Sequence, residues 1–178
     1  MIKIVAYDPA WPAHFEAEAG ALRVAFAALA LRIEHVGSTS VPGLAAKAVI
    51  DIQVSVASLA APERFLPPLA QLGYLHVPMG DFDLVYPWFV KPHVWPSTHH
   101  VHLCVQGDEQ ERRHLAFRDH LRCHPEVAAE YVALKQTLAA AHHGRTLESR
   151  ECYSLSKTGF VESVLARALA TPAPPLKH

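Results

Sequence analysis

The sequence lacks the features that mark several large classes of protein. Its three cysteines, Cys104, Cys123 and Cys152, are odd in number and widely spaced, so they support neither a disulfide framework nor a structural zinc site. No apolar run approaches the roughly 20 residues that a membrane-spanning helix requires. The apolar start of the chain is broken at Asp8-Pro9, too early for a signal peptide. We therefore expect a cytoplasmic protein that does not bind membranes.

The chain also lacks an excess of positive charge. Its formal net charge is −1, which argues against general nucleic-acid binding. Apolar residues make up 51% and charged residues 19% of the chain, an ordinary globular composition. A length of 178 residues predicts one domain, placed here at residues 1–170. The proline-rich segment 171–178 is predicted to be a disordered tail.

The order of the predicted elements favours an α+β fold with a small mixed sheet flanked by helices and a helical C-terminal third. A first helix is expected from a cap at Asp8-Pro9 to about Leu29. Runs rich in β-branched or aromatic residues then predict strands. These are Ile2–Ala6, Arg32–Val36, Ala48–Val56, Tyr74–Val77, Tyr86–Lys91 and His99–Gln106, the last two antiparallel.

Four further helices are predicted. One runs from a cap at Ser58 to about Leu72 and is kinked or split at Pro67-Pro68. Another opens with a capping box formed by Asp108 and Glu111 and ends near Cys123. The last two are predicted over Glu126–His142 and about Leu147–Ala170, and Pro78–Asp83 is expected to be a loop.

A glycine-serine turn and an isolated aspartate are the strongest functional signal. Gly37-Ser38 follows a strand and can present backbone N–H groups and a hydroxyl to a phosphate. Asp51 lies between apolar neighbours on the next strand, where a carboxylate is costly unless its charge is used, for example by a metal ion. The alternative is an ordinary turn with an aspartate capping a strand.

Histidines form a second candidate cluster. In the strand His99–Gln106, His100 and His102 share a face about 6–7 Å apart, whereas His99 faces the other way. With Asp51 they could bind a transition metal, or one could act as acid or base on a phosphate ester. The alternatives are an exposed polar edge strand and core histidines bonded to backbone.

Several other side chains are candidates for contacts with a ligand. Lys47 is the first candidate for binding phosphate, since it lies in the segment between the turn and the strand of Asp51. Trp95 is the tryptophan most expected to touch a ligand. A Tyr153-x-x-x-Lys157 pair occurs in short-chain dehydrogenases, but the chain has no glycine-rich dinucleotide fingerprint and that interpretation is rejected. The remaining candidates for phosphate binding are Thr39, Lys91, Arg118 and Lys157.

The segment His35–Lys47 (HVGSTSVPGLAAK) followed by Ile50–Ile52 resembles the GrpB-like family, within the polymerase-beta-type nucleotidyltransferase superfamily. The resemblance extends over nearly the whole chain, through Tyr7–Trp11, Thr98–Leu103, Arg113–Arg122 and Tyr153–Lys157. It implies a small mixed sheet flanked by helices. It also implies a Gly-Ser turn and acidic residues that bind a divalent metal, Mg²⁺ or Mn²⁺ with Zn²⁺ as a further possibility, together with a nucleoside triphosphate.

The chain departs from the superfamily pattern at the strand of Asp51. Active members have an acid–apolar–acid sequence there, whereas Asp51-Ile52-Gln53 supplies one acid. Gln53 points the same way as Asp51 and its carbonyl could ligate the metal, but it brings no charge. We therefore consider a metal-dependent nucleotidyl or phosphoryl transferase acting on a small acceptor, with Asp51, His100 and His102 as catalytic residues. The alternatives are a non-catalytic protein that binds a nucleotide or phosphorylated metabolite, and a histidine/aspartate metallohydrolase; no oligomeric state is predicted.

Overall fold

Five strands form one mixed sheet in the computed structural model, which describes residues 2–142, 144 and 146–170. The sheet order is β1-β2-β5-β4-β3. Strands β2 and β5 are parallel, and the other neighbouring pairs are antiparallel. The predicted mixed sheet is thereby confirmed. The strands are β1 (Arg32–Val36), β2 (Ile50–Val56), β3 (Leu75–Val77), β4 (Trp88–Lys91) and β5 (His99–Val105).

Helices precede the sheet, connect two of its strands and make up the C-terminal part. Four consecutive helices from residue 109 to residue 170 confirm the predicted helical C-terminal third. None of the described helices combines the length and apolar character that a membrane span requires. The helices are α1 (Trp11–Phe26), α2 (Leu66–Gln71), α3 (Glu109–Cys123), α4 (Pro125–Ala141), α5 (Leu147–Leu155) and α6 (Thr158–Ala170).

The two faces of the sheet differ in chemistry because successive strand residues point to opposite sides. On one face, Ile52, Val54 and Val56 of β2 belong to the main core with α1 and α2. The opposite face carries Asp51 and Gln53, whose register partners on β5 are His100 and His102. The polar residues of this second face are the ones that the sequence analysis selects as site candidates. Helix α3 lies beside this face and contacts β1 and β5.

A second, smaller core holds the C-terminal helices against the loop that follows the Gly-Ser turn. Val41 and Leu44 of that loop pack with side chains from α3, α4 and α6. Burial of these side chains fixes the loop because each contributes on the order of 1.5–3 kcal/mol. The helical partners in this core are Leu121, Val127, Tyr131 and Val164.

Several local predictions are corrected by the structure. Asp8 accepts a hydrogen bond from the Ala10 N–H, and α1 begins at Trp11 with Pro12 in its first turn. The predicted 58–72 helix is reduced to a 3-10 turn and the short α2, since the consecutive prolines remove backbone donors. The predicted last helix is divided at Ser156, whose hydroxyl bonds the Cys152 carbonyl at 2.7 Å.

Smaller corrections concern strand ends and caps. The strand predicted at 48–56 begins at Ile50, and the one predicted at 2–6 is a single bridge from Val5 to Ala46. The predicted 78–83 loop contains a 3-10 turn over Gly80–Leu84. Asp108 caps α3 as predicted, but Glu111 bonds Gly107 N–H and Ser55 Oγ instead of closing the box. The predicted 171–178 tail lies outside the described residues.

One buried arginine ties α3 to the edge strand β1. Arg118 is 8% exposed, and its guanidinium donates to the Glu34 carboxylate at 2.7 Å and to the His35 carbonyl at 3.0 Å. It also bonds the neighbouring Asp119 carboxylate at 2.7 Å. The two elements are therefore held together by charge-assisted hydrogen bonds, which are stronger than neutral ones.

We predict that Arg118→Ala lowers the free energy of unfolding by about 2–3 kcal/mol, because Glu34 and a buried carbonyl lose their donor. Urea denaturation followed by circular dichroism measures the change. The matched control is Arg112→Ala on the exposed side of the same helix, which should change stability by less than about 0.5 kcal/mol. Equal effects of the two substitutions would show that the Arg118 bonds do not hold α3 in place.

Candidate functional site

The Gly-Ser turn lies directly against the carboxylate of Asp51. Val36, the last residue of β1, pairs with Asp51 across the antiparallel ladder, and Gly37 follows with φ +69°. A Cβ atom added to Gly37 would collide with the Asp51 carboxylate. Glycine is therefore required here twice, for its left-handed backbone and for the close approach. This contact places a turn that can bind phosphate beside the acidic side chain.

Buried hydrogen bonds fix the shape of the turn. Thr39 Oγ1 donates to the Val49 carbonyl at 2.9 Å and lies 3.0 Å from His35 Nε2. Ser40 Oγ donates to the Gly37 carbonyl at 2.6 Å. Burial lowers the pKa of His35 to about 4, so this histidine is neutral at pH 7. The buried Thr39 side chain thus stabilises the turn, whereas the Ser38 side chain is half-exposed.

Asp51 is the acidic end of a chain of three hydrogen-bonded side chains. His100 Nδ1 lies 3.1 Å from Asp51 Oδ1, and its Nε2 lies 2.7 Å from the Ser97 hydroxyl. Burial alone would raise the pKa of Asp51. The hydrogen bond from His100 and the charges of His100, His102 and Lys47 lower that pKa to about 2. Asp51 is therefore ionised, and His100 holds its carboxylate in one orientation.

His102 presents an unused nitrogen in the same region. Its Nδ1 is buried without a hydrogen-bond partner among the described residues, as are Gln53 Nε2 and Trp88 Nε1. These three residues are neighbours, because Gln53 and Trp88 both pair with His102 in the sheet. Tyr86 stacks on the His102 ring at 4.7 Å and donates to Gln53 Oε1 at 3.1 Å. Burial lowers the pKa of His102 to about 3, which keeps its imidazole neutral.

The donor atoms fit a divalent metal ion. Asp51, His100 and His102 each offer one ligand atom, and these atoms lie within 4.8 Å of one another. A neutral imidazole with an unpartnered nitrogen is the form that coordinates metals. One carboxylate and two imidazoles suit manganese or zinc better than magnesium. The side-chain carbonyl oxygen of Gln53 accepts a hydrogen bond from Tyr86. Gln53 is therefore a neighbour of the three ligand candidates and not a free ligand itself.

Three lysines lie within electrostatic range of one another, and Lys47 and Lys157 also lie within range of Asp51. Lys157 Nζ lies 4.5 Å from the centroid of the Tyr153 ring, and Lys47 Nζ lies 5.2 Å from it. Lys135 of α4 is 2% exposed and donates to the Ala45 carbonyl at 2.5 Å. Tyr131, one turn earlier on α4, bonds Ser38 and lies beneath the Lys135 ammonium group at 4.7 Å. Helices α4 and α5–α6 thus bring two cations to the Gly-Ser turn.

The charges of these lysines are not balanced by acidic side chains. Among the described residues, no carboxylate lies within 4.0 Å of any of the three ammonium groups. Burial, together with the charges of Lys157 and Lys47, lowers the pKa of Lys135 to about 7. Burial and Lys47 lower the pKa of Lys157 to about 8, against the attraction of Asp51. Buried cations that lack a salt bridge and repel one another are costly, so this cluster has the chemistry of an anion-binding site.

The structure brings most of the predicted site residues together but separates two. One group of the predicted site residues lies around Asp51 on one side of the sheet. Its other members are Gly37, Ser38, Lys47, His100, His102 and Lys157. Lys91 points to the opposite face, where it bonds Glu18 of α1 at 2.6 Å. Arg118 uses its donors in the link to β1 described above.

Sequence reasoning missed Lys135 and Tyr131. Their helix α4 carries no motif that distinguishes them, and Lys135 is recognised by its burial alone. The Tyr131–Lys135 spacing of one helical turn places both on one face, which is the only sequence signal that could have linked them.

Comparisons with known proteins identify the family of this chain. A family model described as GrpB protein matches residues 1–167. A UPF0157 protein of Pseudomonas aeruginosa is 43% identical, with 98% of this chain and 71% of that protein covered. A protein of Mycolicibacterium paratuberculosis called dephospho-CoA kinase is 33% identical, but the match covers 76% of this chain and 39% of that protein. The crystal structure of GrpB from Enterococcus faecalis has a TM-score of 0.80 and 37% identity, and the match covers 94% of this chain and 98% of that one. The chain belongs to the GrpB family, and placement in the nucleotidyltransferase superfamily is consistent with its fold.

Proposed function

We propose that this GrpB-family protein is a metal-dependent transferase that moves a nucleotidyl or phosphoryl group from a nucleoside triphosphate to a small acceptor. The observation that carries the proposal is the Gly-Ser turn packed against Asp51, with Lys47 and Lys157 within electrostatic range of that carboxylate and Lys135 within range of both lysines. Phosphoryl and nucleotidyl transfer depend on positioning and on neutralising the charge of the phosphates. The arrangement has parts suited to both tasks.

The lysines and the turn would hold the phosphates. Lys47, Lys135 and Lys157 supply positive charge from one side, and the Gly37-Ser38 turn supplies backbone N–H groups and a hydroxyl from the other. Burial of the ammonium groups strengthens their attraction for an anion because water screens them less. A triphosphate would supply counter-charge to Lys135 of α4 and to Lys157, which lies between α5 and α6.

The divalent metal would be held by Asp51 and His102, with His100 fixing the orientation of the carboxylate. When bound, it would supply the charge that stabilises the transferring group. His100 holds a proton between its Nδ1 and Asp51, and its Nε2 faces a hydroxyl at Ser97. The same nitrogen is placed to accept a proton from an acceptor hydroxyl that displaces Ser97.

A second candidate is a protein that binds the nucleotide without turning it over. The observation that favours it is the single acid on β2, since Gln53 is fully buried and hydrogen-bonded by Tyr86 where a second carboxylate would stand. Two metal ions need more negative charge than one aspartate supplies. The relative called dephospho-CoA kinase supports a role near nucleotide chemistry in either case, although this chain covers 39% of it.

The test of the transferase is pyrophosphate or phosphate release from nucleoside triphosphates with Mg²⁺, Mn²⁺ or Zn²⁺, across a panel of small hydroxyl and amine acceptors. We predict that Asp51→Asn, which keeps the shape and removes the charge, lowers turnover by about 100-fold or more. Asp81→Asn on the exposed 3-10 turn is the matched control and should keep full activity.

The outcomes separate the candidates. Binding that requires metal but gives no product with any acceptor would favour the non-catalytic protein. Hydrolysis of simple phosphate esters by a protein purified with a stoichiometric transition metal would favour a histidine/aspartate metallohydrolase. Unchanged nucleotide affinity and turnover in Asp51→Asn would contradict the transferase.

We predict that Lys135→Met stabilises the ligand-free protein while weakening polyphosphate binding. The substitution removes an ammonium group whose charged form is disfavoured by burial. The free energy of unfolding at pH 7 should therefore rise by about 0.5–2 kcal/mol. The pKa of Lys135 is lower in the folded protein than in the unfolded chain. Its cost to the free energy of unfolding is therefore fully present below pH 7 and fades as the pH rises towards 10. Thermal unfolding at pH 7 and pH 10, with and without inorganic tripolyphosphate, measures both effects. A destabilised variant that binds tripolyphosphate normally would contradict the role given to Lys135.

A further inference from the structure

An exposed tryptophan lies at the border of the lysine cluster. Trp95 is 41% exposed, in the connection between β4 and β5. The Arg150 guanidinium lies over one face of its indole ring, 4.6 Å from the centroid. Trp95 therefore has open aromatic surface next to a cation, and open aromatic surface is what a stacking ligand requires.

Trp95 is linked to Asp51 by a short stretch of chain and two hydrogen bonds. Ser97 is two residues further on, and two residues span at most about 7 Å. Ser97 bonds His100, and His100 bonds Asp51. The connection is also anchored, because Thr98 donates its N–H to Lys91 and accepts at its carbonyl from Ile50, both at 2.9 Å.

Arg150 ties the same indole to the lysines. It is one helical turn before Tyr153 on α5, and the Tyr153 ring lies between Lys47 and Lys157. The positive charge of Arg150 also lowers the pKa of Lys47, which places the two cations within electrostatic range. Arg150 has one side-chain hydrogen bond, to the Gly144 carbonyl at 3.3 Å, and no carboxylate within 4.0 Å among the described residues.

We propose that Trp95, with Arg150 behind it, is the platform on which the base of a nucleoside triphosphate stacks while the lysines hold its phosphates; this inference rests on the proposed function. Every base has a flat π-face, so stacking on an indole gives affinity for a nucleotide without selecting one base by hydrogen bonds. The cation behind the indole strengthens the stack and lies on the side of the phosphates. The substrate is accordingly a nucleotide with broad base tolerance and a preference for the larger purines.

The test compares ligands that carry a base with one that has none. Isothermal titration calorimetry in Mn²⁺ measures the affinity of ATP, GTP, CTP and UTP and of inorganic tripolyphosphate, which has no base. The wild-type protein should bind ATP about tenfold or more tightly than tripolyphosphate. Trp95→Ala should lose about tenfold in ATP affinity and nothing for tripolyphosphate. Trp95→Phe should restore most of the loss, and Val94→Ala on the neighbouring exposed side chain should change neither affinity.

The results distinguish this inference from the function on which it rests. Equal affinity for ATP and tripolyphosphate in the wild-type protein, or equal losses for both in Trp95→Ala, would overturn the stacking platform and leave the phosphate site standing. Lys135→Met should weaken both ligands in parallel. A wild-type protein that binds neither ligand would overturn the transferase and the platform together.

Discussion

The positive charge that Lys47, Lys135 and Lys157 place around the Gly-Ser turn exceeds the negative charge available to it. Folding alone does not explain three ammonium groups in half-buried or buried positions when Asp51 is the carboxylate that attracts two of them, Lys47 and Lys157. Burying a cation without a partner destabilises the folded state, and the lowered pKa values of Lys135 and Lys157 are the signs of that cost. An anion bound in the cluster removes the imbalance. In the proposed function, the phosphates of the ligand supply the charge that balances this cluster.

The sheet supplies the other half of the site through strand alternation. Because β2 and β5 are parallel neighbours in direct register, residues of equal parity on the two strands face the same side. Asp51 and Gln53 therefore meet His100 and His102, while the intervening apolar residues fill the main core. The helical C-terminal part then closes over this face and brings its lysines to the turn. One face of the sheet forms part of the main hydrophobic core, and the other face carries the candidate site residues.

The sequence was sufficient to predict the mixed sheet and the shared face of His100 and His102, since alternation is local. It was not sufficient to place Lys91, because its face depends on the antiparallel pairing with His99, which only the folded sheet reveals. Lys135 could not be found either. Its helix has an ordinary alanine-rich pattern, and the importance of Lys135 comes from the loop that packs over it. Predictions failed where a side chain's role depends on a partner distant in the sequence.

The proposed anion site depends most directly on the ionisation of the buried lysines. Proton–carbon NMR of protein labelled with ¹³C at the lysine ε carbons, assigned with Lys135→Met and Lys157→Met, follows each ammonium group from pH 6 to pH 11. In the free protein, Lys135 and Lys157 should titrate well below the exposed lysines, near pH 7 and pH 8. Saturation with tripolyphosphate should move both towards the ordinary range. Lysines that all titrate near pH 10.4, or that do not respond to tripolyphosphate, would contradict the account.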